Sequence, residues 1–289
     1  RGPVSSVAGR NFASISSKGV IFLEISAIAS GSSGNCIYVS SGGTGVLIDA
    51  GITGKRVVTN LQELACAPER DLQAILVTHE HHDHVSGVGV LARKFGLDVW
   101  ANTPTWEGMK PYVGRIPEKQ QRVFTSSSSF VIGDLQVTAF RTSHDSQESV
   151  GFLLDNGQTK LAVATDTGVM TSQMLTVLKE AEYLILEANH DLAMLQGGRY
   201  PWPLKKRIMS DRGHLSNGAS AAAVEFLVEH GRVSQGGVVL GHLSQENNRP
   251  ELALDTVCAR LTQAGIIPGR DVQIELASRD RRTALFQAG

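Results

Sequence analysis

His79-Glu80-His81-His82-Asp83-His84, directly after the apolar run Ala74-Ile75-Leu76-Val77, decides how this chain is read. The run has the length and composition of a buried strand. The pattern His-x-His-x-Asp-His lets His79 and His81 point one way from an extended turn, while Asp83 and His84 open the next element and face a second position. His82, between them, points to solvent. Imidazole and carboxylate donors suit zinc, manganese or iron, and these are too many for one tetrahedral ion, which implies two. A merely solvated His-rich tract would lack the interleaved Asp and the flanking strand and helix.

Working outward, a helix is expected just after His84, because Val88, Leu91, Ala92 and Phe95 fall at i, i+3, i+4 and i+7. Upstream, residues 21–25, 36–39 and 45–48 read as strands separated by Gly and Ser turns. Downstream, residues 130–132, 135–140, 150–154, 161–164 and 183–186 are strand-like, with Gly133-Asp134 and Asn156-Gly157 as hairpin turns. Residues 219–230 read as a helix capped by Ser216, residues 238–240 as a buried strand, residues 250–264 as a helix and residues 272–276 as a closing strand. Two halves, each mostly strands with a few covering helices, fit a sandwich of two sheets with helices outside.

Strand ends gather function in such a fold, and three more ligand types stand there. His144 follows Phe140 in Arg141-Thr142-Ser143-His144, Asp166 follows Val163-Ala164, and His242 follows the strand at 238–240. Each alone reads as a structural residue. Together with the first cluster they complete two ion sites.

Bulk composition is compatible with this. A chain of 289 residues with 42% hydrophobic content can bury a large core, and a net charge of -1 announces neither a nucleic-acid nor a membrane partner. Cys36, Cys66 and Cys258 are odd in number and far apart, which argues against a disulfide framework and for a reducing compartment, the cytoplasm. No apolar run approaches a membrane span. Residues 1–20, rich in Ser and Gly with Arg10 and Lys18 and no acid, read as a flexible tail or an organelle-targeting segment. Residues 21–289 are expected to form a single domain.

The order His79-x-His81-x-Asp83-His84, His144, Asp166, His242 resembles the metallo-β-lactamase fold in its hydrolase and nuclease branch. The resemblance implies an α+β, four-layer αββα sandwich of two mixed sheets flanked by helices. It also implies one metal on His79, His81 and His144, a second on Asp83, His84 and His242, and Asp166 bridging both. An Asp at the bridge and no Cys ligand turn the expected substrate from lactams toward esters and phosphodiesters. Ala29-Ser30-Gly31-Ser32-Ser33-Gly34-Asn35-Cys36, Glu187-Ala188-Asn189-His190-Asp191, Gly213-His214-Leu215-Ser216-Asn217 and Gly241 to Pro250 are similar to the YycJ/WalJ group of bacterial proteins. That resemblance implies 5′-to-3′ DNA exonuclease activity, with DNA preferred to RNA.

Two divalent ions, zinc or manganese or iron, about 3.5–4 Å apart would hold a hydroxide as nucleophile and neutralise phosphoryl charge. Asp83 would ligate and orient that water. A leaving alkoxide still needs a proton. His214 is the first choice for this acid, by its similarity to the His-x-Thr/Ser element of transfer-RNA-processing nucleases of this fold, and His190 is the second. The alternatives are that His214 contacts phosphate or caps a helix, and that His190 only fixes a ligand.

For substrate contacts, the loop bearing Ser32, Ser33 and Asn35 could cradle a phosphate, although a tight turn uses the same residues. Arg199 to Arg207, with Lys205, Lys206, Arg207 and the aromatics Tyr200 and Trp202, suits phosphate contact and base stacking, or is a solvated segment. Ser216, Asn217 and Asn247 complete the candidate substrate residues. The other readings are hydrolysis of a small ester, cyclic phosphodiester, lactone or lactam at the same ions, and a metal-binding regulatory protein without turnover.

Overall fold

Successive strand residues point to opposite faces, and in this chain both faces of the central strands are apolar. The computed structural model describes residues 22–279, 281–283 and 286–288, the last three as backbone alone; the expected tail at 1–20 lies outside them. The strands are β1 (Leu23–Ala29), β2 (Cys36–Ser41), β3 (Thr44–Ile48), β4 (Leu72–Leu76), β5 (Asp98–Asn102), β6 (Gln121–Phe124), β7 (Ser129–Ile132), β8 (Leu135–Arg141), β9 (Val150–Asp155), β10 (Lys160–Ala164), β11 (Tyr183–Glu187), β12 (Gly237–Gly241), β13 (Gln273–Leu276) and β14 (Phe286–Ala288). They form two seven-stranded sheets, ordered β14-β1-β2-β3-β4-β5-β6 and β13-β12-β11-β10-β9-β8-β7.

Each sheet is mixed in the same way. The β14-β1, β1-β2 and β2-β3 pairs are antiparallel and the β3-β4, β4-β5 and β5-β6 pairs parallel. In the second sheet β7 to β10 pair antiparallel and β10 to β13 parallel. The strand at 272–276 therefore does not close the fold: β13 is the edge of the second sheet, and β14 returns to pair with β1 in the first.

Three apolar layers follow from the alternation. Val46, Ile48, Ala74 and Leu76 of the first sheet face Val137, Phe152, Leu161, Val163 and Ile185 of the second. Their alternates Leu47, Ile75 and Val99 pack outward against Val57 and Leu61 of the helix Gly54–Glu63 and Leu91 of the helix Val88–Phe95. On the far side Ala162, Leu184 and Leu240 pack against Leu178 of Ser172–Leu178, Val224 and Leu227 of Asn217–His230, and Val257 of Pro250–Gln263. The result is the four-layer αββα sandwich. Phe152, wholly buried between the sheets with its ring centre 5.7 Å from that of Phe124 in an edge-to-face contact, anchors the central layer. Phe152→Ala should cost roughly 3–5 kcal/mol by transfer and cavity terms, read as a lower denaturation midpoint at unchanged slope.

The carboxyl ends of the parallel strands share one rim, the usual place for a site in sheets of this kind. Asp49 follows β3, His79 lies three residues past β4, Asp166 follows β10 closely, Glu187 ends β11 and His242 follows β12. No helix among the described residues is long and apolar enough to cross a membrane.

Candidate metal centre

Backbone bonds clamp the turn that carries the histidines. Ala50 N donates to His84 O at 2.9 Å, Asn35 N to Asp83 O at 2.8 Å and Gly87 N to Ala50 O at 2.7 Å. Gly51 lies so close beneath the turn that a Cβ there would stand 1.5 Å from the Asp83 carbonyl oxygen, so only glycine fits. Thus held, His79 and His81 face His144: His79 Nε2 lies 3.1 Å from His81 Nδ1, which lies 3.3 Å from His144 Nε2. The Nδ1 of His144 bonds the Gly213 carbonyl at 3.0 Å, which turns its Nε2 inward.

The ligand atoms of His79, His81 and His144 lie within 4.8 Å of one another, as do those of Asp83, His84 and His242. Asp166 stands between these sets. Its Oδ2 is 3.4 Å from His84 Nε2, and its Oδ1 is 3.5 Å from His242 Nε2 and 3.7 Å from His144 Nε2. The seven residues named from the sequence thus converge on one cleft.

The chemistry of this cleft fits divalent cations. Asp166 Oδ2 and His242 Nε2 are buried with no hydrogen-bond partner among the described residues, an arrangement that is costly unless something else satisfies it. Burial alone would raise the Asp166 pKa, but His242, His84, His79 and His144 draw it well below the usual carboxylate range. Burial pulls the His84 imidazole down, yet Asp166 and Asp49 bring it up to about 10. The His242 imidazole, opposed in the same way by burial and favoured by Asp166 and Glu187, rises to about 9. These carboxylate surroundings favour positive charge, which metal ions would supply more strongly. Backbone strain marks the same place: Asp49, Asp166 and His242 hold φ of 58°, 56° and 54°, a conformation that non-glycine residues keep only when tertiary contacts enforce it.

Two carboxylates that the sequence reading did not assign position the ligands. Asp49 Oδ2 lies 2.7 Å from His84 Nδ1, and the same carboxylate accepts from Thr78 N at 2.8 Å and Thr78 Oγ1 at 2.7 Å. Glu187 Oε1 lies 2.7 Å from both His242 Nδ1 and His214 Nδ1, while its Oε2 accepts from Thr167 N at 3.0 Å and Leu215 N at 3.2 Å. Each fixes an imidazole so that Nε2 faces the cleft. Both stand at the end of an apolar strand, the signal that singled out Asp166 and His242. Asp49→Asn should weaken metal binding roughly 10–100-fold, measured by titration against a chelating indicator.

The two acid candidates differ. His214 is partly exposed, at 21% of its side chain; burial lowers its pKa, but Glu187 beside it outweighs that and raises it on balance. His190 is buried, both ring nitrogens lack a hydrogen-bond partner among the described residues, and burial brings its pKa to about 4. Its imidazole is thereby favoured in the neutral form, a weaker acid than the protonated ring that Glu187 favours at His214.

Several candidate substrate residues are occupied in the fold. The buried Asn35 accepts from Gly31 N at 2.9 Å through Oδ1 and sets its Nδ2 2.9 Å from His84 Nε2, shaping the turn and the centre rather than an open cradle. Lys205 is buried, with Nζ donating to the carbonyls of Gln196 and Gly198 at 2.7 Å each, so it is a clasp and not a phosphate contact. Asn217 is buried against Asn248, and Ser216 caps the helix Asn217–His230 by accepting from Ala219 N. Asn247 is buried, its amide without a partner among the described residues. Ser32, Ser33, Lys206 and Arg207 remain exposed; Lys206 Nζ lies 5.7 Å from the Trp202 ring centre, and Arg207 pairs with Asp145.

A mixed αββα sandwich with histidines and aspartates gathered at one rim defines a class, and the match agrees. Residues 44–241 match the β-lactamase superfamily domain, and the chain belongs to that superfamily. Within it, the chain is 40% identical over 269 residues to the exodeoxyribonuclease WalJ of Streptococcus pneumoniae, covering 92% of this chain and 98% of that one. It is 40% identical over 252 residues to the exodeoxyribonuclease YycJ of Bacillus anthracis, covering 87% and 94%. Identity at this level over nearly all of each chain places the three in one family. The metallo-β-lactamase fold protein YhfI of Bacillus subtilis superposes with a TM-score of 0.66 at 14% identity, over 92% of this chain and 99% of that one, a likeness of fold alone.

Proposed function

We propose that this protein is a two-metal phosphodiesterase that removes nucleotides from a DNA end in the 5′-to-3′ direction, with zinc or manganese as its ions, in one catalytic domain. The observation that carries the reading is the meeting of two ligand sets at Asp166, in a chain whose relatives of 40% identity are named exodeoxyribonucleases. His79, His81 and His144 would hold one ion and Asp83, His84 and His242 the other, with Asp166 shared. Bound there, divalent ions acidify water and neutralise phosphoryl charge.

The chain's own residues supply the rest. Asp83, 28% exposed at its side chain and 3.7 Å from His84 Nε2, closes the second set from the solvent side. Glu187 holds His214 by Nδ1, leaving Nε2 to carry a proton to the departing alkoxide. Asp49 and Glu187 keep two imidazoles from turning. The absence of a serine or cysteine nucleophile from this scheme agrees with Cys36, which is wholly buried and whose thiol burial pushes far above its ordinary pKa.

The test offers metal-loaded protein end-labelled single- and double-stranded DNA, RNA, bis-p-nitrophenyl phosphate and a chromogenic lactam. Stepwise release of nucleotides from the 5′ end, lost in Asp83→Ala, is the expected result. Turnover of a small substrate with the polymers intact would replace this reading by the small-molecule hydrolase.

A further inference from the structure

Beside the cleft lies a cavity of about 170 Å³ with a mixed apolar and polar lining. Its lining joins the apolar and aromatic Tyr200, Leu204 and Ile208 with the polar Ser32, Arg207 and His214, and includes the carboxylate Asp145 that pairs with Arg207. Its lining includes Gly213, whose carbonyl bonds His144, so the cavity abuts the ligands themselves. An aromatic ring, a guanidinium and hydroxyls in one cavity lining are the composition that takes a nucleotide, whose base stacks while its phosphate is neutralised.

Two details sharpen this. The backbone leading to Tyr200 is tied down, because the buried Lys205 bridges the carbonyls of Gln196 and Gly198. Arg207 is exposed and paired with Asp145, whose Oδ1 is buried without a hydrogen-bond partner among the described residues. Asp145 holds that guanidinium through Nε, which leaves its terminal N–H groups to meet a phosphate entering the cavity. The Tyr200 ring in its lining offers a stacking face to a single base.

We propose that this cavity receives a single unstacked nucleotide of the substrate strand beside the scissile phosphate, with its base on Tyr200 and a phosphate on Arg207. The assignment rests on the nucleic-acid reading above, and it implies that a duplex end must fray before it is cut.

The experiment uses the full chain and an oligonucleotide bearing a terminal 2-aminopurine and a phosphorothioate first linkage that resists turnover. Anisotropy of a distal dye reports binding, and 2-aminopurine fluorescence reports stacking. Quenching is expected with the unaltered protein and with Tyr200→Phe, and not with Tyr200→Ala. The same Tyr200→Ala should raise KM for DNA roughly ten- to a hundredfold and slow bis-p-nitrophenyl phosphate far less. Equal quenching by Tyr200→Ala, or equal losses on both substrates, would overturn the assignment while leaving the nuclease reading intact. Failure of the unaltered protein to bind DNA at all, seen in the anisotropy, would remove the nuclease reading and this site with it.

Discussion

Asp166→Asn is expected to leave a folded protein that hydrolyses DNA at least a thousandfold more slowly, roughly the upper end of what loss of one electrostatic stabiliser costs. The amide has the shape of the carboxylate, and asparagine accepts a φ of 56° as readily as aspartate, so the backbone at the end of β10 should persist. What is lost is the charge between the two ligand sets: the Oδ2 that faces His84 and the Oδ1 that faces His242 and His144. The variant should therefore also lose the gain in thermal stability that metal confers, about 2.7 kcal/mol when the ion stands at a hundred times its Kd. A variant that turns over DNA normally, or that metal stabilises as fully as the parent, would show that Asp166 is not shared between ions.

His214→Ala should slow hydrolysis about 10²–10⁴-fold where the leaving group is a nucleoside alkoxide, which must be protonated as it departs. With p-nitrophenolate, which leaves without a proton, the loss should be small. That contrast separates a proton donor from a phosphate contact, whose removal would slow both substrates alike. Glu187→Gln should give the same leaving-group signature, because Glu187 Oε1 holds His214 and His242 alike, and should weaken metal binding as well.

The seven converging side chains are legible in the sequence because four of them share one six-residue motif and the other three are a histidine or aspartate just beyond an apolar strand. The motif at 79–84 announced itself by density, while His144, Asp166 and His242 needed the strands to be recognised first. The carboxylates Asp49 and Glu187 stand at strand ends too, but each holds an imidazole from behind, a role that no spacing of donors in the sequence marks. β5 and β6 escaped for a different reason. β6 is a short sheet edge whose exposed position 123 is a valine and whose half-buried position 122 is an arginine, so its polarity does not follow its burial, and the helix Thr103–Val113 contains Pro104, Gly108 and Pro111, which obscure its periodicity.

Among substrate residues, composition misled where geometry assigns charge locally. Lys205 and Arg207 are two residues apart in one basic run, yet the first is buried as a clasp and only the second faces the cavity. A one-dimensional count of cations cannot distinguish them, because on a helix two positions apart lie on different faces. Asn35 illustrates the same limit in a loop, since its amide turns inward to the centre while the neighbouring Ser32 and Ser33 stay exposed.

Anomalous scattering from metal-loaded crystals, recorded on both sides of the metal absorption edge, tests the central claim most directly. Two peaks should appear, one among His79, His81 and His144 and one among Asp83, His84 and His242, with the Asp166 carboxylate in reach of both. A single peak, or peaks away from these side chains, would contradict it.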